Sequence, residues 1–438
     1  MGFRGFLENM QREGKLITLS KPVSKSLEAS GILKALDGTP VILEKIKESE
    51  FPVACSIFPT KELIAKSLEL KTEELLPRII HATQNPSKPN RVTHASCQEV
   101  EIKDVDLDQL PLLFHCREDG GNYISSGVVI AKDEAYGQNL DFHRLMQVGK
   151  DRLSMRVVSG RHFYQFLMKK RKMPMAVCIG NGANVLLAAA TSVALGQDEL
   201  EIANTLAPLN VVKAATFDAF IPADCEFVLE GTIDIEDRDD EGPFVDLTET
   251  YDDVRQEPVF TVRKITTRQK PIWQALLPGA LEHKMLMGMP REPTIFQQIM
   301  NKGVQVLDVN INPGGCSWLH AIVKINKFRE DDGKKALEGA FQGHGSLKHC
   351  FVVDSDIDIY NPLSVEWAMA TRFQGDRDLI IRGREPGSSL DPSRDRDTKK
   401  TCKMGFDLTK PLDGQAKSFE KAMFPQISLQ DYFDPPAG

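Results

Sequence analysis

Hydrophobic positions fall into three successive textures along the chain. Over the first hundred residues, short helical and strand periods alternate. Phe3, Phe6, Leu7 and Met10 sit at i, i+3, i+4 and i+7 and predict an amphipathic helix. Residues 16–19, 40–43 and 52–57 predict short strands. Residues 27–36 predict a helix stopped by Gly38, and Thr60 caps another that runs to Leu70 with Glu62 in its first turn. From about Ile124 the texture turns to β-branched runs separated by Gly- and Asp-rich turns, at 128–131, 141–148, 153–158, 176–179, 210–216, 226–233, 259–265 and 272–277. So many strands with few helices predict a barrel or sandwich. One clear helix interrupts them, 162–170, which ends in Lys169-Lys170-Arg171-Lys172 and is expected to be stopped by Pro174. After Pro293 helices and strands alternate again. A helix begins near Thr294 and a strand near Val304, followed by a strand at 317–325, a helix at 333–341, a strand at 349–354 and a helix from 365. The stretch 382–438 is polar and Pro/Gly-rich and reads as an irregular extension.

Residues 173–197 carry no charge, but 180–184 (Gly-Asn-Gly-Ala-Asn) break the run, so no 18 consecutive apolar residues exist. A buried strand at 175–179, a turn and an Ala-rich buried helix at 185–195 account for the stretch, and no membrane span is expected. The N-terminus carries charge too early for a secretory signal, and Gly5 and Phe6 break the myristoylation pattern. A cytoplasmic location is expected.

The chain has 438 residues, 41% apolar and 26% charged, with a net charge of −8. That is a globular composition of two or three domains, and the balance excludes a broad nucleic-acid-binding face. The eight cysteines form no CxxC pair, which argues against a zinc ribbon or thioredoxin motif and suits a reducing compartment.

Several polar clusters are candidates for chemistry. Glu241-Gly242-Pro243-Phe244-Val245-Asp246 follows an acidic run, of which Asp237 to Asp240 read as a solvated loop. A turn at Gly242-Pro243 would aim Glu241 and Asp246 at one cavity, where neighbouring carboxylates split their pKa values and one serves as a proton donor. In Asn139-Leu140-Asp141-Phe142-His143-Arg144, strand alternation puts Asn139 and Arg144 on opposite faces. Unless a bend intervenes, Arg144 is a surface strand cation. His162 opens a helix and fits a cap-region residue. Glu199 opens another, where an acid stabilises the helix dipole. Together Asn139, His162 and Glu199 offer two oxygens and a nitrogen, a set that suits Mn²⁺ or Mg²⁺ beside a phosphate better than structural zinc. His344, between glycines, is a candidate loop contact, whereas His349 precedes an apolar strand and reads as structural. No GxGxxG follows a strand, so a Rossmann dinucleotide site is unsupported.

Taken in order, further segments complete a pattern: Val211-Val212-Lys213, Ile221-Pro222-Ala223, Glu226-Phe227-Val228-Leu229-Glu230-Gly231, the 241–246 hexapeptide and Arg291-Glu292-Pro293-Thr294. Asp354-Ser355-Asp356-Ile357-Asp358-Ile359-Tyr360 then runs into Glu366-Trp367-Ala368-Met369-Ala370-Thr371-Arg372. Over nearly its whole length the chain resembles the UbiD family of prenylated-flavin-dependent decarboxylases. The resemblance implies an α/β (α+β) fold with an N-terminal α/β region (1–115), a central split β-barrel holding prenylated FMN (116–290) and a C-terminal α/β oligomerisation domain with an extended tail (291–438).

The resemblance also implies roles. Asn139, His162 and Glu199, with Glu201 as the neighbouring alternative, hold Mn²⁺ or Mg²⁺ on the cofactor phosphate, with K⁺ nearby. His143, Arg144 and Arg161 contact the cofactor. Arg144, Glu241 and Asp246 form the catalytic set: Arg144 orients the substrate carboxylate, Glu241 holds Arg144 and Asp246 delivers the proton. The implied partners are a UbiX-type flavin prenyltransferase and a second copy of the chain, as a dimer or hexamer. Departures from the family include Leu247-Thr248 where a Gly-Tyr pair is common, and Arg161 where some relatives carry Gln. The compact archaeal branch is the most similar in look. It implies trans-anhydromevalonate 5-phosphate as substrate and isopentenyl phosphate as product, with Arg161 and the 343–348 loop as phosphate contacts. An aromatic-acid decarboxylase of 4-hydroxybenzoate or polyprenyl-hydroxybenzoate type and a non-catalytic flavin-binding scaffold are the alternatives.

Overall fold

The computed structural model describes residues 1–413, 416–422 and 424–432; the expected irregular tail at 433–438 lies outside the described residues. The predicted first helix is Phe3–Arg12, with Phe3, Phe6, Leu7 and Met10 buried. It sits beside a four-stranded sheet ordered Ile17–Leu19, Val41–Leu43, Val53–Cys55 and Trp273–Gln274. The last of these corrects the expectation that 272–277 belongs to the central strands. Only two of those residues form a strand, and they pair in parallel with Val53–Cys55.

The centre is a nine-stranded antiparallel sheet. Its order is Tyr123–Ile124, Leu145–Gln147, Arg152–Met155, Arg255–Thr267, Phe227–Glu241, Lys172–Ile179, Val128–Asp133 and Gly137–Phe142, with Val100–Ile102 added along Arg255–Thr267. Successive side chains of its central strands point to opposite faces, and both faces are buried. Val128, Ile130, Ala176 and Cys178 face one core, with the helices Phe3–Arg12 and Ala183–Ala190. Val129, Ala131, Val177 and Ile179 face the other.

The expected single strand at 141–148 is two strands. Gly137–Phe142 lies at one end of the sheet and Leu145–Gln147 next to the other. Only His143 and Arg144 connect them, a span of at most ~11 Å. The sheet therefore curls to bring these two strands together at the His143–Arg144 crossing, and no ladder closes it into a barrel among the described residues.

The acidic run is also different from its expected form. Phe227–Glu241 is one continuous 15-residue strand, and Asp234 to Asp240 alternate in exposure along it. The neighbouring strand Arg255–Thr267 supplies the ladder, with an irregularity between Asp234 and Arg238. Pro174 does not stop the helix His162–Lys170. That helix ends at Arg171, whose φ is +63°. Pro174 lies inside the next strand, where pairing to Val128–Asp133 begins only at Met175, so no ladder donor is missed on that side. Residues 210–213 belong to a separate three-stranded sheet with Asn90–Val92 and Phe220–Pro222. The Ala-rich helix is shorter than expected, Ala183–Ala190, and buried all round.

The C-terminal part is a five-stranded mixed sheet ordered Gln305–Asn310, His320–Asn326, His349–Asp354, Lys400–Asp407 and Leu379–Pro386. Glu292–Asn301 and Asp332–Gly343 cover one face, and Pro362–Arg372 covers the other. The expected irregular extension from 382 is thus corrected: its first part is an antiparallel hairpin, and Lys400–Asp407 pairs in parallel with His349–Asp354. No helix among the described residues is long and apolar enough to cross a membrane. All eight cysteines are free.

Candidate active site

The strand break at His143–Arg144 turns the Arg144 side chain into the curled sheet. Its guanidinium is almost buried and gathers three carboxylates. Nε–H and Nη2–H donate to Glu241 Oε1 and Oε2 at 2.8 and 3.0 Å, Nη1–H donates to Asp246 Oδ2 at 2.5 Å, and Nη2–H donates to Asp252 Oδ2 at 2.9 Å. Burial works against the charge, but Glu241, then Asp246 and Asp252, outweigh it and hold Arg144 above its usual range. The guanidinium also lies 4.6 Å from the Phe244 ring centre.

Local sequence explains how two acids five residues apart reach one arginine. Gly242 adopts φ +99°, a conformation open to glycine, and ends the long strand at Glu241. The chain then folds back as a short hairpin, Phe244–Val245 against Tyr251–Asp252. Gly120 packs so closely on this turn that a Cβ there would lie 2.1 Å from the Gly242 carbonyl oxygen. Tyr123 fixes the acid end: its hydroxyl accepts the Gly242 N–H at 3.1 Å and donates to Glu241 Oε1 at 3.3 Å. Asp119 accepts the Val245 N–H at 3.3 Å.

Two residues of the expected metal set, Asn139 and Glu199, lie on the other side of the break. Asn139 is buried, and its amide nitrogen has no partner among the described residues. Glu199, buried at the start of the helix Glu199–Leu206, accepts the Leu140 N–H at 2.9 Å. Burial raises its carboxyl well above the usual range, with the Leu140 N–H opposing. Both this helix and the one opened by His162 pack on the strand carrying Asn139. Glu201, two residues further along the helix, is half-buried. The cluster pairs a buried carboxylate with a buried amide, and no group of three or more His, Cys, Asp or Glu side chains placed to hold a metal ion is found among the described residues. His143 is buried, its Nδ1 2.8 Å from the Arg156 carbonyl and its Nε2 3.0 Å from Asp141.

Arg161 does not join Arg144. Its Nη1–H donates to the Ser192 hydroxyl at 3.2 Å, and Arg291 donates to the same oxygen at 2.5 Å. Neither arginine has an acidic partner among the described residues, and Arg291 Nε has no partner at all. Burial and then Arg161 push Arg291 down to about 10. Arg291 lies 5.4 Å from the Trp318 ring centre. His344, expected as a loop contact, is buried with its Nε2 3.0 Å from the Trp318 carbonyl, and burial followed by Arg291 lowers it to about 3. Lys348 of the 343–348 loop pairs with Asp391 at 3.1 Å.

Sequence reasoning missed Tyr123, Asp252, Arg255, Ser192, the role of Arg291 and His283. His283 accepts the Gly279 N–H at Nδ1 (3.0 Å). Burial keeps it below the usual imidazole range, although Asp246 opposes this. Arg291 had a signal, a lone cation just ahead of Glu292-Pro293 at a helix start. Asp252 had none, since nothing marks it out among the acids that precede it.

Three family models match consecutive parts of the chain. They are the N-terminal domain of 3-octaprenyl-4-hydroxybenzoate carboxy-lyase over residues 7–83, its Rift-related domain over 90–281 and its C-terminal domain over 284–408. The anhydromevalonate phosphate decarboxylase of Methanothermobacter thermautotrophicus is 40% identical over 425 residues, 95% of this chain and 99% of the relative. Its namesake from Methanocaldococcus jannaschii is 39% identical over 407 residues, 92% and 96% of the two chains. Among solved structures, the UbiD-class enzyme HmfF from Pelotomaculum thermopropionicum in complex with FMN superposes with a TM-score of 0.95 at 35% identity, over 99% of this chain and 100% of that one. An evolved dimeric form of HmfF in complex with prenylated FMN gives 0.91 at 33% identity, over 99% and 100%.

Proposed function

The chain belongs to the UbiD family of carboxy-lyases, and on that premise we propose that it decarboxylates trans-anhydromevalonate 5-phosphate to isopentenyl phosphate. The observation that carries the substrate is the arginine pair on Ser192. Two cations without an acidic partner, one of them with an orphaned N–H, suit a dianionic phosphate. From His283, beside Asp246, to Arg291 the chain is largely helical and rises roughly 12 Å, so one element links a carboxylate end and a phosphate end. The relatives named as anhydromevalonate phosphate decarboxylases support the same reading.

The cofactor of this reading is prenylated FMN, delivered by a UbiX-type flavin prenyltransferase to the central part (116–290), between the N-terminal (1–115) and C-terminal (291–438) parts. When bound, it supplies the electron sink for loss of CO₂. Asn139, His162 and Glu199 hold Mn²⁺ or Mg²⁺ for its phosphate, and His143 lines the same side. Arg144 receives the substrate carboxylate with its planar fork. Glu241, bidentate on the opposite edge, fixes the plane of that fork. Asp246 delivers the proton to the carbon left after decarboxylation. The enzyme works in the cytoplasm as a homo-oligomer; the eight free cysteines suit that compartment.

The test is a paired assay of holoenzyme, made by co-expression with a flavin prenyltransferase, on trans-anhydromevalonate 5-phosphate and on 4-hydroxybenzoate. Turnover of the phosphate is expected; turnover of the aromatic acid alone overturns the substrate and leaves the family untouched.

A further inference from the structure

A guanidinium presents five N–H groups. On Arg144, Glu241 takes the edge made by Nε and Nη2. The outer edge, made by Nη1 and Nη2, is filled by one oxygen each from Asp246 and Asp252. That outer edge is the fork a substrate carboxylate needs, because two parallel N–H···O bonds match its two oxygens. An arriving carboxylate must therefore displace a protein acid.

The two acids differ in what else holds them. Among the described residues Asp246 accepts, besides Arg144, only the Leu247 N–H at 2.7 Å. Asp252 has a second cation: Arg255 Nη2–H donates to its Oδ1 at 2.7 Å, and Arg255 Nη1 lies 2.6 Å from its Oδ2. Asp252 alone can leave Arg144 and remain paired, so its departure leaves no uncompensated buried charge. Arg255 and Arg144 hold its carboxyl down at about 2 against the effect of burial, so it stays an anion throughout the working range.

We propose that Asp252 is a positioning residue that holds the carboxylate's place on Arg144 in the substrate-free enzyme and shifts onto Arg255 alone when the substrate carboxylate arrives. This rests on the reading that Arg144 receives that carboxylate. Carboxylate ligands then compete with a built-in one, and neutral analogues do not.

The experiment is calorimetric titration of holoenzyme with 3-methyl-5-phosphooxypentanoate, a saturated acid that cannot react, and with its neutral primary amide. Asp252→Asn removes the competing charge at nearly constant size. It is expected to bind the acid about tenfold tighter, the scale of one charge-assisted hydrogen bond, with no gain for the amide. Asp252→Glu restores the charge and the weaker affinity. Should Asp252→Asn not fold, Arg255→Gln tests the converse, since it removes the refuge and is expected to weaken acid binding. Arg144→Gln is measured alongside. If it weakens acid binding while Asp252→Asn brings no tightening, the proposal for Asp252 falls alone. If Arg144→Gln leaves acid binding unchanged, the carboxylate reading of Arg144 falls and takes this proposal with it.

Discussion

Glu199 reaches from the first turn of its helix to the backbone N–H of Leu140 at 2.9 Å, which brings its carboxylate beside the strand that carries Asn139. A buried acid and a buried amide with an open nitrogen lie on adjoining elements, and the helix opened by His162 packs on the same strand.

The first prediction follows from that arrangement. His162→Ala removes one proposed metal ligand from a half-buried helix start and is expected to lower cofactor occupancy more than fold stability. Flavin absorbance per protein after co-expression with the prenyltransferase, alongside a thermal melt, measures both. Full cofactor retention would remove His162 from the set.

Asp246→Asn keeps the size of the side chain and its hold on the Leu247 N–H, but cannot release a proton. Turnover is expected to fall by about 10²-fold or more, with cofactor retained. Near-normal turnover would move the acid elsewhere, Glu241 first.

Arg161→Gln and Arg291→Gln are each expected to raise KM for trans-anhydromevalonate 5-phosphate about tenfold or more, as each removes a charge-assisted contact of roughly 1.5–3 kcal/mol. KM for an enoate that lacks the phosphate should stay within about twofold. Equal losses on both substrates would show that the pair supports structure and not the phosphate.

Tyr123→Phe leaves the buried Gly242 N–H without an acceptor and Glu241 without one donor. A cost of about 1–3 kcal/mol is expected, read as a lower Tm together with reduced kcat. An unchanged melting curve would mean that the turn holds itself.

The fifth prediction concerns pH. His115 is buried, neither ring nitrogen has a hydrogen-bond partner among the described residues, Asp119 Oδ2 lies 3.8 Å from Nδ1, and burial, then His283, lowers the imidazole from 6.5 to about 3. As pH falls below 6.5 the unfolded chain takes up this proton and the folded one does not. The contribution is therefore complete above about 6.5 and drains away down to about 3. His115→Phe is expected to flatten the stability slope between pH 6 and 4 by about 1 kcal/mol per pH unit, measured by denaturant melts at several pH values. A slope equal to wild type would assign the loss to other groups.

Much of the fold was legible because local periodicity and tertiary burial agree. The helices Phe3–Arg12 and His162–Lys170 and the strand His349–Asp354 form where their patterns predict. The hidden features are those that tertiary partners impose. His143 and Arg144 interrupt two strands with no Gly or Pro to mark the break, and only the curl of the whole sheet demands it. The acids at 234–240 form a strand because Arg255–Thr267 runs alongside, a partner no local pattern announces. The C-terminal hairpin did leave a trace, the period-two apolar positions Cys402, Met404 and Phe406, diluted by the polar residues around them. Glu241 and Asp246 were legible as a pair because Gly242-Pro243 marks a turn. Arg291 left a faint signal, a lone cation at a helix start, but its significance lies in the acid that is missing beside it among the described residues.

The placement of Lys400–Asp407 has a consequence for the order in which the protein is made. This strand is inserted between His349–Asp354 and Leu379–Pro386, and the latter pairs with nothing else in the sheet. During synthesis the chain therefore carries an open parallel edge, with Cys350 and Val352 in the buried core behind it, for about fifty residues. A chain cut at residue 395 would keep every residue of both proposed sites and still expose that edge permanently, a template for pairing with other copies. The last strand of this sheet thus closes an edge that would otherwise stand open to pairing with other copies.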